Sequence, residues 1–111
     1  MLQLADDGVR QGRTIAAVSP RGSIVGFASF LVSGDVIELE DLFVDPAWMR
    51  QGIGRALVLA IAAAASALGF DRLEVTANPH AMAFYQQAGF VADHVVETKF
   101  YPAPRMHRPT R

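Results

Sequence analysis

Between Val36 and Thr76 the spacing of apolar residues changes period twice, and this limits the folds open to the chain more than any other feature. Val36 to Val44 reads as a strand that ends at Asp45-Pro46. From Gln51 to Leu68 the apolar residues Ile53, Leu57, Ile61, Ala64 and Leu68 recur at helical spacing, and Gly69 follows where a left-handed helix cap is expected. Arg72-Leu73-Glu74-Val75-Thr76 reads as another strand. A strand entered from a long helix runs parallel to the one before that helix, because a parallel pair needs a crossover where an antiparallel pair needs only a turn. The middle of the chain is therefore expected to be a βαβ unit.

The flanking segments extend the sheet. Thr14-Ile15-Ala16-Ala17-Val18 and the run from Ser23 to Val32 are rich in β-branched and aromatic residues, and Ser19-Pro20-Arg21-Gly22 between them signals a hairpin. Ser33-Gly34-Asp35 joins the second run to Val36, so three antiparallel strands are expected to follow a polar segment, 1–13. Asn78 and Pro79 suit the cap and first turn of a short helix that Gly89 closes. Phe90 to Phe100 reads as a strand, and Pro102-Ala103-Pro104 is expected to separate it from a last short strand, Arg105-Met106-His107, in a Pro/Arg-rich end, 102–111. The expected class is α/β of the α+β kind: one domain over 1–111, with a mixed, mostly antiparallel sheet, a central βαβ unit and two main helices.

Composition narrows the partners. Hydrophobic residues make up 51% and charged residues 19%, enough to bury a core without the charge excess of a disordered chain. A formal net charge of -1 gives no reason to expect nucleic acid or an anionic membrane as partner, so a small molecule fits better. The longest apolar run, Ala56 to Ala65, is well short of the roughly 20 residues that span a bilayer. The absence of cysteine rules out disulfides and thiolate metal sites, and with no secretory pattern at the start a cytoplasmic location is expected. His80, His94 and His107 lack ligand spacing, so no metal is expected and they read as surface or capping residues. Arg105, Arg108 and Arg111 receive no function.

The strongest chemical signal is Val44-Asp45-Pro46-Ala47-Trp48-Met49-Arg50-Gln51-Gly52-Ile53-Gly54-Arg55-Ala56-Leu57. A strand ends, a turn follows, and two glycines sit at a helix start, where free N–H groups and the helix dipole favour a phosphate. Gly52 and Gly54 would let a pyrophosphate approach the backbone, with Arg50 and Arg55 adding charge at the rim. An isolated G-x-G of this kind is more often a tight turn without a ligand.

Its surroundings change that reading. Glu38-Leu39-Glu40-Asp41-Leu42-Phe43-Val44-Asp45-Pro46 leads into the turn, and Asn78-Pro79-His80-Ala81-Met82-Ala83-Phe84-Tyr85-Gln86-Gln87-Ala88-Gly89-Phe90 follows the next strand. From about Ile15 to Phe100 the order resembles the GCN5-related N-acetyltransferase family: strand, Q/R-x-x-G-x-G/A turn, helix, strand, Asn and F-Y-x-x-x-G-F. The family's first Q/R position holds Met49, with Arg50 and Gln51 next to it. The resemblance implies acyl-CoA bound between two central strands that splay apart, its pantetheine arm along the main chain of Leu42, Phe43 and Val44. It implies a diphosphate on the backbone from Met49 and Arg50 through Gln51, Gly52, Ile53, Gly54 and Arg55, and Asn78 on the pantetheine side. Acetyl-CoA is the implied cosubstrate and a primary amine of a small molecule or peptide the acceptor.

Thioester aminolysis needs two proton transfers. The leaving thiolate must gain a proton, and a phenol of pKa about 10 can supply one to a thiol of about 8.5. The resemblance gives that acid role to Tyr85 and leaves Phe84 as plain core. The acceptor ammonium must lose a proton, and the candidate carboxylates are Glu40 first, Asp41 second, and Glu38, any of which also suits a cationic acceptor. Strand alternation puts Glu38 and Glu40 on one face and Asp41 on the other unless a bulge intervenes. Two other readings stand beside the enzyme: a non-catalytic CoA-binding sensor, and a dinucleotide-binding module with Glu74 as its acidic residue. The family opens with a further strand and a helix pair that wall the acceptor site, whereas about a dozen residues precede Thr14 here. On that basis a homodimer is expected to cover the hairpin's open edge and the apolar residues Ile15, Val18, Ile24, Val25, Phe27 and Phe30.

Overall fold

The period changes become strand, helix and strand in a computed structural model that describes residues 3–6 and 13–111. β1 (Gln3–Asp6), β2 (Thr14–Val18), β3 (Ile24–Ser33) and β4 (Val36–Val44) form an antiparallel run. A 3-10 turn at Pro46–Trp48 leads to α1 (Ile53–Ala67), and β5 (Arg72–Thr76) follows. A second 3-10 turn, Pro79–Ala81, runs into α2 (Met82–Gln87), and β6 (Val91–Glu97) and β7 (Pro102–Pro109) complete the order. All seven strands share one sheet in the order β1-β2-β3-β4-β5-β7-β6. Among the described residues only β4 and β5 pair in parallel, as a crossover through α1 requires.

The core lies between α1 and one face of the sheet. Ile53, Leu57, Val58, Ile61, Ala62 and Ala65 form the buried stripe of α1, at the i, i+4 and i+8 spacing that defines one helix face. They meet Ile37, Leu39, Leu73, Val75 and Met106. Leu57 has no exposed surface, and burying a side chain of that size stabilises by roughly 1.5–3 kcal/mol. Leu68 was expected on this stripe but is exposed, because it is the C-cap, beyond the last helical turn. Gly69 takes the expected left-handed conformation, φ 93.

Two ends of the chain differ from expectation for reasons of pairing. The segment 1–13 was read as polar and strandless, but Gln3–Asp6 pairs with β2 from Gln3↔Val18 to Asp6↔Ile15 and satisfies the backbone groups that β2 would otherwise leave open. Residues 1–2 and 7–12 lie outside the described residues. The last strand is longer than Arg105 to His107 and includes both prolines that were expected to precede it. β5 pairs with β7 only from Arg72↔Pro109 to Thr76↔Arg105, so Pro102 and Pro104 lie past its end, where a missing N–H interrupts no ladder on that side. The Pro/Arg-rich end is thus an interior strand of the sheet.

Candidate active site

The turn before α1 is built on two left-handed residues. Gly52 is the N-cap at φ 79, a conformation glycine takes freely, and no side chain caps the helix. Arg50 stands at φ 65, the single non-glycine residue in that region among the described residues. Strain of this kind, about 1–3 kcal/mol, is typical of ligand-binding turns. No acidic side chain lies in the first turn of α1, so the N–H groups and dipole there face no competing anion.

A cavity of about 610 Å³ opens beside this turn. Leu42, Val44, Met49, Arg50, Gly52, Ile53, Gly54 and Arg55, all singled out from the sequence, contribute to its lining. Trp48, Phe84 and Gln87 also line it and were not foreseen. Phe84 and Gln87 are three residues apart on α2 and share its face toward the cavity, a spacing visible in the sequence once the helix is placed. Phe84 is thus partly buried cavity wall as well as core. It also explains Gly54: a Cβ there would stand 3.0 Å from the Phe84 ring, so this glycine allows a close helix contact as well as a ligand approach.

Above the cavity the sheet parts. β4 is paired with β3 along its length, but with β5 only at Ile37↔Leu73 and Glu38↔Glu74. From Leu39 to Val44 it makes no pair with β5, although β5 runs on through Val75 and Thr76, and this is the splay the family resemblance implies. Ser29 pairs with Asp41 and Phe30 with Leu39, so Glu40 is a bulge residue without a partner. The bulge corrects simple alternation: Asp41 shares a face with Phe43, Phe27 and Ser29, away from α1. Its Oδ2 accepts a 2.9 Å hydrogen bond from Ser29 Oγ. Glu38 Oε2 accepts one of 2.9 Å from Arg105 Nη1. Glu40 is exposed and makes no side-chain hydrogen bond among the described residues.

Tyr85 is 8% exposed, with Phe84 and Phe90 edge-on at 5.2 and 5.4 Å between ring centres. Burial pushes its phenol above the ordinary 10.0, so the hydroxyl holds its proton at neutral pH. Asn78 Oδ1 accepts from the His80 N–H at 2.9 Å, so this oxygen caps the 3-10 turn. Tyr85, Asn78, Phe43 and Gln51 do not line the cavity. Phe43 turns to the opposite face, with its ring 5.8 Å from that of Phe27.

A mixed sheet whose parallel central pair parts beside an uncapped helix start is a fold that admits an extended, anion-bearing ligand. The chain belongs to the acetyltransferase (GNAT) family, whose sequence pattern matches residues 3–90. It is 29% identical over 80 residues to a glucosamine 6-phosphate N-acetyltransferase of Trypanosoma brucei brucei, a match that takes in 66% of this chain and 54% of that relative. The chain thus spans about half the length of the curated relative it matches. Its structure resembles that of ribosomal-protein-S18-alanine N-acetyltransferase from Escherichia coli, with TM-score 0.74 and 25% identity over 87% of this chain and 68% of the other. It also resembles the phosphinothricin acetyltransferase of Sinorhizobium meliloti, solved with acetyl-CoA, with TM-score 0.72 and 22% identity over 86% and 60%. The family sets aside the dinucleotide-binding reading: the sheet is mostly antiparallel, and Glu74 is held by Arg105 at 3.0 Å. No group of side chains with metal-ligand character occurs among the described residues, and none of the helices there is long and apolar enough to cross a membrane.

Proposed function

We propose that this chain, acting as a single acyl-CoA-binding unit, transfers an acetyl group from acetyl-CoA to a primary amine. The observation that carries this reading is the opening of β4 from β5 directly above a cavity at the uncapped start of α1. The diphosphate would rest on the backbone from Arg50 to Arg55, where free N–H groups and the two arginines attract it. The pantetheine arm would follow the main chain of Leu42, Phe43 and Val44, with Asn78 facing it across the gap. Acetyl-CoA supplies the activated acyl thioester, and the protein arranges the protons around it.

Tyr85 is the acid in this reading, since its buried phenol keeps a proton for the departing sulfur. Glu40 is the first candidate for the base because its carboxylate is exposed and makes no side-chain hydrogen bond among the described residues. Asp41, tied to Ser29, is second, and Glu38 is engaged by Arg105. We place the protein in the cytoplasm, where a chain without cysteine meets no constraint from redox state, and infer a homodimer from its exposed apolar face. The acceptor class spans the compounds that the relatives' names give, glucosamine 6-phosphate, an alanine of a ribosomal protein and phosphinothricin.

Calorimetric titration with acetyl-CoA, followed by thiol release with a panel of such amines, tests the reading. Binding with turnover is expected. Binding without turnover on any amine would favour the CoA-sensor alternative, and no binding would defeat both.

A further inference from the structure

The last rung between β4 and β5 joins Glu38 to Glu74, two carboxylates on adjacent strands and on the same face of the sheet. Like charges so placed push the strands apart. β7 lies on the far side of β5, with Arg105 opposite Thr76, yet the Arg105 side chain reaches across β5 to β4. Its Nη1 donates to Glu38 Oε2 at 2.9 Å and to Thr76 Oγ1 at 2.8 Å, while Nη2 and Nε donate to Glu74 Oε1 at 3.0 and 3.2 Å. One planar guanidinium, carried on β7, thus touches both β4 and β5 at the vertex of the splay. The side chain is 17% exposed, so solvent screens these contacts less than it would a surface pair.

We propose that Arg105 is a positioning residue that sets how far β4 and β5 open, and thereby the width of the gap available to the pantetheine arm. This rests on the acetyl-CoA reading above. Glu38 marks the end of the paired stretch, and Thr76 lies two residues beyond its own last rung, so the guanidinium clamps both sides of the divergence. A lysine would keep the charge but not the flat fork that serves three acceptors at once. The residue was assigned nothing from sequence because the partners it joins are 29 to 67 positions away.

The test compares acetyl-CoA with ADP, which carries a diphosphate and no pantetheine arm. Arg105→Lys should raise the acetyl-CoA dissociation constant about tenfold and leave ADP binding within about twofold of wild type. Thr76→Val, which removes one acceptor at nearly constant shape, should shift acetyl-CoA in the same direction by a smaller factor and covers the case that the lysine variant folds poorly. Unchanged acetyl-CoA affinity in both variants, or equal losses for the two ligands, would overturn the proposal. If the wild type binds neither ligand, the acetyl-CoA reading falls first and this inference with it.

Discussion

Gly52 and Gly54 stand two residues apart and are required for different reasons. At Gly52 the backbone itself demands glycine, with φ 79 and open space around the Cα, whereas at Gly54 an added Cβ would press on Phe84. The G-x-G motif therefore combines one conformational and one packing constraint. Tyr85 is the acid of the proposed acetyl transfer. Replacing it with Phe keeps both edge-on ring contacts and removes only the hydroxyl, so acetyl-CoA affinity should change little while kcat falls by about 10²–10⁴. Steady-state kinetics with acetyl-CoA varied separates the two effects. A fully active variant would pass the acid role to water or another group.

At the scale of elements, β4 is a wall with two functions, and its bulge divides them. Before the bulge Ile37 and Leu39 belong to the core, and after it the strand borders the splay; the extra residue turns Asp41 toward Ser29 instead of toward the core. On the other side of the sheet, β6 is tied to β7 and β5 by polar contacts. Asp93 Oδ2 lies 2.8 Å from His107 Nδ1 and accepts a 2.8 Å bond from Arg72. The His107 hydrogen bond first, and then the charges of His107, Arg72 and His94, hold the Asp93 carboxyl below its usual 3.8, against an opposing effect of burial. A depressed value means stability that is present above the unfolded pKa and lost as pH falls through the folded one. The urea midpoint of wild type should therefore decline more steeply than that of Asp93→Asn between about pH 5 and about pH 3. The two curves should converge at the acid end; parallel curves would show that Asp93 contributes nothing through its charge.

The whole molecule presents one face covered by α1 and another that is partly apolar. Phe27 at 37%, Leu31 at 41% and Phe43 at 49% exposure lie together on the face away from α1. It overlaps the patch expected on the opening hairpin only in part: Phe27 belongs to both and Ile24 is exposed at 64%, but β1 pairs the hairpin's edge and Val25 and Phe30 are buried. Exposed aromatic patches of this kind are commonly covered by another surface, and a second copy across a two-fold axis is the simplest one. Light scattering at micromolar concentration should give twice the 12.0 kDa chain mass, and Phe43→Ser should shift the mass toward one chain. A wild-type mass near 12.0 kDa in an active preparation would defeat the dimer.

The local pattern determined most of the elements: β2, β4 and β5 have the bounds their residues predict, α1 starts at the glycine turn, and the family likeness is legible from about Ile15 to Phe100. These are short-range properties, set by the period of apolar residues and by the conformations that glycine and proline allow. Tertiary structure alone decided the rest. The bulge at Glu40 depends on the register against β3, and Phe84 becomes cavity wall only when α2 is laid on Gly54. The last strand took its place between β5 and β6 because an interior sheet position satisfies backbone groups on both of its sides, which no local signal among Pro102, Pro104 and Arg105 reveals. Arg105 acquired its partners by the same insertion, since long-range pairing, and not residue type, brought Glu38 and Glu74 within reach of one guanidinium.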